Sequence, residues 1–277
     1  MLLIKKGKVK DIYEYDKDKL LFVFSDRVSA FDVILPNEIP HKGEVLCKFA
    51  KFWFEALDIT HHMIGLKDDK SMIVKKLKMI PIEFVVRGYL YGSLYERLIK
   101  GEVRLDIEPI LASKLPKPLF DPTTKSDVKD LPINKQEIID RNLLRKDEID
   151  FLEKRSLELY ERMYKIADKA GFIIADVKFE FGLDDRGEIV LADSLGPDEF
   201  RLWLKEDYKP NKIQESYDKQ LIRDWLIDYG YKAKLDEARK NNREIPKPPK
   251  LPSDLVKKVS ERYIFSYEKI TGKKFLE

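Results

Sequence analysis

In its first third the chain alternates short apolar runs with polar turns, the rhythm of strands. KVKDIYEYDKDKLLFVFSDRV holds two strand-like runs around the turn DKDK and predicts a hairpin. ILPNEIPHKGE reads as loop from its Pro, Asn and Gly content. Leu46, Phe49, Ala50, Trp53 and Leu57 then recur on one helical face. Strand patterns return in SMIVKKLKMI and IEFVVRGYL, with Pro81 between them. Proline cannot donate to a central ladder, so Met79 to Ile82 reads as a connection between two sheets or lobes.

SKLPKPLFDPTTKSDVKDLP, rich in Pro, Asp, Thr and Lys, predicts a loop. The clearest helix follows, with Ile149, Leu152, Leu159, Met163, Ile166 and Ala170 on one stripe. Asp147 is placed to cap its start and Gly171 to end it. A hairpin is expected over roughly 172–193, and Leu221, Ile222, Trp225, Leu226 and Tyr229 mark another helix. PKPPKLP is a linker, and Ser253 is placed to cap a final helix through about Thr271. The expected fold is α+β and two-lobed: a β-rich lobe over 1–80 and an α+β lobe over 81–277.

The composition limits what such a fold does. With 53 Lys and Arg against 50 Asp and Glu, the net charge is only +3, which argues against a nucleic-acid partner. A hydrophobic content of 43% argues against disorder. The single cysteine, Cys47, lies in an apolar helical stretch; it fits a reducing cytoplasm and reads as a buried bystander. MLLIKKGKVK has too few apolar residues for a signal peptide, and no run approaches the roughly 18 that a membrane span needs. A soluble cytoplasmic protein with no membrane partner is expected. Abundant Lys, Glu and Ile beside scarce Gln and Cys hint at a heat-adapted source.

Candidate chemistry concentrates in GFIIADVKFEFGLDDRGEIVLADS. Strand side chains alternate, so Asp176, Lys178 and Glu180 share one face and Val177, Phe179 and Phe181 the other. A loop centred on Asp185–Arg186 would set Lys178 opposite Asp193 and bring Asp193 diagonal to Glu180, about 7–8 Å away. Two converging carboxylates suit Mg²⁺, which shares itself between protein carboxylates and substrate phosphates. Lys178 would offset their repulsion and face a transferring phosphoryl group. A solvated amphipathic hairpin fits the same pattern, and a three-residue loop would shift the pairing.

Weaker signals lie elsewhere. Gly7-Lys8-Val9-Lys10 opens a hairpin with cations suited to phosphates, or is a basic edge strand. SDRVSAFD gathers Ser29 and Asp32 behind a core strand, where turns are common. In VVRGYLYGS, Arg87 ends an apolar strand and Gly92-Ser93 begins a helix, so a hydroxyl, free amides and a guanidinium form an anion site or an ordinary N-cap. Asp198 and Arg201 in GPDEFRLW offer an acid–base pair. His61 and His62 are adjacent and diverge, and nothing completes a zinc set with them.

KGKVKDIY, SDRVSAFDV, KMIPIEFVVRGYLYGS, PLFDPTTKSD, IIADVKFEFG and LADSLGPDEFRLW, in this order over residues 6 to 203, resemble the SAICAR synthetase family; YDKQLIRDWL extends the likeness. The resemblance implies a two-lobed ATP-dependent ligase of purine biosynthesis. It would join the carboxylate of carboxyaminoimidazole ribonucleotide (CAIR) to the amine of L-aspartate through an acyl phosphate, releasing ADP and phosphate. It implies ATP phosphates at Lys8 and Lys10, adenine beside Lys76 to Met79, and Mg²⁺ at Glu180 and Asp193. Lys178 would sit by the transferring phosphoryl group. Arg87, Ser93 and Arg201 would hold the substrate phosphate, with Asp198 and Asp176 near its imidazole and ribose, and Ser29 and Asp32 in the substrate cleft. A small-molecule kinase or another carboxylate–amine ligase is the alternative, and a homodimer through the C-terminal helices is expected. Two positions depart from the family pattern: many relatives carry Asp-Glu where this chain has Asp193-Ser194, and often Ser where it has Phe200. An acyl phosphate must be kept from water, so the segment around Asp121–Asp127 is expected to order on substrate binding.

Overall fold

Helices and strands share this molecule almost evenly, and the described residues of the computed structural model are 1–125 and 130–276. The chain opens with β1 (Leu3–Lys6), β2 (Lys10–Asp16) and β3 (Lys19–Phe24), then a small hairpin of β4 (Arg27–Ala30) and β5 (Val33–Glu38). Helix α1 (Lys42–Ala56) leads to β6 (Met63–Asp68), β7 (Ser71–Lys75), β8 (Lys78–Met79) and β9 (Ile82–Tyr89). Next come α2 (Gly92–Ile99), β10 (Lys114–Phe120), β11 (Thr123–Thr124), α3 (Lys135–Asp140) and the long α4 (Lys146–Lys169). The chain continues through β12 (Phe172–Leu183), β13 (Ile189–Ala192) and β14 (Phe200–Leu204), and finishes with α5 (Gln220–Asp228), α6 (Tyr231–Lys240) and α7 (Ser253–Thr271).

Among the described residues β1-β2-β3-β7-β6 form one antiparallel sheet, and β10-β9-β12-β13 the spine of a second, with β8 and β14 also on β12 and β11 on β9. The chain passes between sheets at Lys76–Leu77, earlier than the Met79–Ile82 step expected from Pro81. Lys78 and Met79 already pair with Leu183 and Gly182 of β12.

Strand β12 is the axis of the second sheet. Its early residues pair with β9 and β14 and its later ones with β13 and β8. It is therefore buried almost throughout and is not one arm of a solvated hairpin. Val177, Phe179 and Phe181 enter the core with Leu152, Leu159 and Met163 of α4. A glycine at 88 lets α4 come this close: a Cβ there would lie 1.8 Å from the Tyr160 hydroxyl, which donates to the Ile174 carbonyl at 2.8 Å.

Helix ends differ in detail from the expected caps. Arg145, not Asp147, is the N-cap of α4, because Glu148 reaches back to the Arg145 amide at 2.8 Å. Gly171 does follow the helix, with φ 82°. Ser253 is the first residue of α7 and not its cap; the N-cap is Pro252, which makes no side-chain capping bond. Cys47 is buried in α1, and burial pushes its thiol up to about 12. Among the described residues no helix is long and apolar enough to cross a membrane.

Candidate active site

Period-two geometry puts Asp176, Lys178 and Glu180 on the β12 face away from the core, but the register brings Asp193 there by another route. Glu180 pairs with Ala192 and Leu183 with Ile189. The loop is Asp185–Gly187, closed by the Asp184 amide donating to the Glu188 carbonyl at 3.1 Å, and Gly187 takes φ 79°. Lys178 consequently lies opposite Val85 of β9, and the expected Lys178–Asp193 pairing does not occur. Asp193 instead leaves the strand in the left-handed region, φ 62°, a conformation aspartate tolerates better than most residues. That turn aims its carboxylate at Lys10, 2.5 Å away, whose ammonium also donates to Ser194 Oγ at 3.0 Å.

A network of opposite charges surrounds this point. Lys178 lies 2.7 Å from Glu83 and 3.4 Å from Glu180, and Lys125 pairs with the other oxygen of Glu180. Burial works against the charge on Lys178, but Glu180, Glu83 and Asp193 outweigh it and hold the ammonium charged well above its usual range. Burial likewise disfavours the Asp193 carboxylate, yet Lys10, Lys125 and Lys178 keep it well below the usual range. His62 is buried beneath, its Nε2 in hydrogen-bond contact with the Asp193 carbonyl at 3.0 Å, and burial lowers its pKa to about 4. Its neighbour His61 stacks on Phe54.

A second group lies further up β12. Asp176 pairs across the sheet with Arg87 on β9 and Arg201 on β14, so the register alone flanks one carboxylate with two guanidiniums. Arg201 bonds Asp176, and Arg87 Nη1 lies 3.6 Å from it. Arg87 also donates to Ser93 Oγ at 3.0 Å and, with Arg97, to Asp121. Gly92 sits against this cluster: a Cβ there would lie 2.5 Å from Arg201 Nη2.

The third group corrects an expectation. Asp198 does not pair with Arg201. Its side chain is buried against Lys42 at 2.8 Å, the Tyr263 hydroxyl at 2.9 Å and Lys219 at 3.7 Å. Burial lowers Lys219 to about 8 against the pull of Asp198, and its ammonium lies 3.5 Å from Ser29 Oγ. Asp32 pairs instead with Lys8 at 2.5 Å, away from that group. Lys76 is exposed where the chain passes between the sheets, and Met79 is exposed on β8, just after that crossing.

Glu83, Lys42, Lys219 and Arg97 escaped the sequence reading, and Asp121 and Lys125 entered it only as part of a loop expected to order, without a partner. Glu83 had a usable signal, since alternation along IEFVVR puts it on the same face as Arg87. The Asp121–Asp127 segment is described only through Lys125; Ser126 and Asp127 lie outside the described residues. Phe200 packs edge-on against Phe49 and Trp53, so this position serves the core and makes no polar contact.

The sequence model of the SAICAR synthetase family matches residues 3–238. The chain belongs to the SAICAR synthetase family. It is 54% identical to a phosphoribosylaminoimidazole-succinocarboxamide synthase of Nitrosopumilus maritimus over 99% of both chains. It is 43% identical to the enzyme of that name from Corynebacterium efficiens, covering 98% of this chain and 92% of the other. The fold matches SAICAR synthase from Saccharomyces cerevisiae complexed with SAICAR at a TM-score of 0.83 and 34% identity, over 98% and 95% of the two chains. It also matches a SAICAR synthetase in complex with ADP at a TM-score of 0.74 and 29% identity, over 98% of each. The α+β architecture of the family agrees with the expected fold class.

Proposed function

We infer that this protein is an ATP-dependent ligase that joins the carboxylate of CAIR to the amine of L-aspartate, giving SAICAR, ADP and phosphate. The observation that carries the reading is one strand, β12, lining up a guanidinium-flanked carboxylate at Asp176 with the lysine–carboxylate network around Lys178, Glu180 and Asp193. The first arrangement suits a nucleotide phosphate and sugar, and the second suits a transferring phosphoryl group.

In this reading ATP lies between the lobes 1–80 and 81–277, its phosphates met by Lys8 and Lys10 and its adenine beside Lys76 to Met79. Arg87, Ser93 and Arg201 hold the substrate phosphate, with Asp176 and Asp198 on its ribose and imidazole side and Ser29 and Asp32 along the cleft. Glu180 and Asp193 fit a magnesium ion by their chemistry, since both offer carboxylate oxygens and Mg²⁺ is commonly held by one or two carboxylates together with substrate phosphates. When bound there, Mg²⁺ supplies positive charge that neutralises the phosphates. Glu180 and Asp193 would exchange their lysine partners for the ion, freeing Lys10, Lys125 and Lys178 for phosphate oxygens.

The CAIR carboxylate oxygen attacks the γ-phosphorus, the bond to ADP breaks, and Lys178 balances the charge on the transferring group. The aspartate amine then attacks the acyl carbon and phosphate leaves. A cytoplasmic location suits a chain with one buried cysteine. Exposed Ile227, Tyr229 and Phe265 on the C-terminal helices support a homodimer formed there, which light scattering tests. ADP release measured with CAIR, with and without aspartate, tests the ligase reading. We expect sustained turnover only with the amine, whereas equal turnover without it makes the protein a kinase.

A further inference from the structure

Glu199 occupies the turn between Gly196 and β14, with its amide donating to the Gly196 carbonyl at 2.9 Å and its own carbonyl accepting from the Lys178 amide at 2.9 Å. Its carboxyl folds back over Gly196, where a Cβ would lie 3.5 Å from Glu199 Oε2. That oxygen is buried and, among the described residues, has no hydrogen-bond partner. The neighbouring carboxylates differ: Glu83 is tied to Lys178, Glu180 to Lys125, Asp193 to Lys10, Asp198 to Lys42 and Asp176 to Arg201. An orphaned buried carboxyl oxygen carries a desolvation cost that structures rarely bear without a use. Glu199 lies where two groups meet: its carbonyl holds the Lys178 amide, and its carboxyl interacts electrostatically with Lys10, Asp193 and Lys178 of one group and with Asp198, Lys219 and Tyr263 of the other.

We propose that Glu199 is the proton acceptor that converts the bound aspartate ammonium group into the free amine. The proposal rests on the ligase reading above. Glu199 Oε2 takes one proton from the ammonium nitrogen, and the lone pair so exposed forms the C–N bond at the acyl carbon. The C–O bond to phosphate breaks with its electron pair on the phosphate oxygen, and the second proton of the nitrogen leaves with the phosphate. Burial, with Asp198 beside it, raises the Glu199 carboxyl to about 8, which brings its proton affinity toward that of an amine.

Hydroxylamine is already a free base at neutral pH and attacks acyl phosphates without a proton acceptor, so it separates this role from a structural one. Glu199→Gln keeps the shape of the side chain and removes its basicity. ADP release by Glu199→Gln with CAIR and aspartate should fall about 100-fold or more, while release with hydroxylamine in place of aspartate stays near the wild-type rate. An unchanged rate with aspartate overturns the proposal, and so does an equal loss with both nucleophiles. Wild-type protein that releases no ADP with either nucleophile overturns the ligase reading itself, and this proposal with it.

Discussion

Replacing Gly92 by alanine puts the phosphate-holding role of Arg201 to a quantitative test. Gly92 has φ 57°, and a Cβ there would lie 2.5 Å from Arg201 Nη2 and 2.8 Å from its Cζ. The methyl group cannot share that space, so the guanidinium must turn away from its place beside Asp176 and Arg87. Two costs arise. The left-handed backbone costs an alanine roughly 1–2 kcal/mol, which appears as lost stability. Losing one charge-assisted hydrogen bond to the substrate phosphate costs about 1.5–3 kcal/mol, or about 10- to 150-fold in kcat/KM for CAIR. Gly101→Ala is the matched control, since Gly101 has φ 72° and nothing lies within 4 Å of the added Cβ. Steady-state kinetics and urea denaturation on both variants separate the effects. We expect similar stability losses in the two, with the kinetic loss confined to Gly92→Ala and to CAIR. Equal kinetics in both variants, or a loss that falls on ATP alone, would refute the assignment of Arg201.

The remaining predictions concern the metal, the buried ion pair and pH. Glu180→Ala should lower Mg²⁺-dependent turnover by at least about 100-fold, and full turnover in a magnesium titration would remove the metal assignment. Lys42 and Asp198 have side chains 0% and 3% exposed. Lys42→Met leaves a buried charge and should cost about 3–5 kcal/mol in denaturant unfolding, part of it recovered in Lys42→Met/Asp198→Asn; a loss under about 1 kcal/mol contradicts this. His62 is held neutral by burial, with its pKa lowered to about 4 from 6.5. Its folded value lies below its unfolded one, so its contribution is whole above about pH 6.5 and is lost as pH falls toward 4, by up to about 3 kcal/mol. His62→Asn should lack that part of the acid slope; identical slopes for variant and wild type would show that His62 is not its source.

Much of the site was legible in the sequence because one strand carries it. Alternation alone set Asp176, Lys178 and Glu180 on a common face, and Val177, Phe179 and Phe181 in the core. The pairings that complete the site were illegible for a physical reason: the partners are remote in the chain. Lys10 reaches Asp193 across 183 positions and Lys42 reaches Asp198 across 156. Local pattern does not encode such contacts. Asp193 was placed correctly in the cluster by an incorrect register, since a backbone turn with positive φ, and not strand alternation, aims its carboxylate. Alternation left a solvated hairpin open as an alternative for β12, because a charged face reads as solvated, whereas here the strand is buried almost throughout and its charges neutralise one another. The Arg145 cap was missed because an arginine backbone amide needs only Glu148 three residues on.

In the proposed reaction a CAIR carboxylate is activated by ATP and captured by the amine of aspartate. Mass spectrometry of the products formed from purified protein, ATP, Mg²⁺, aspartate and CAIR labelled with ¹⁸O in its carboxylate tests it most directly. We expect SAICAR together with inorganic phosphate carrying one ¹⁸O atom. Absence of SAICAR, or phosphate free of the label, would contradict it.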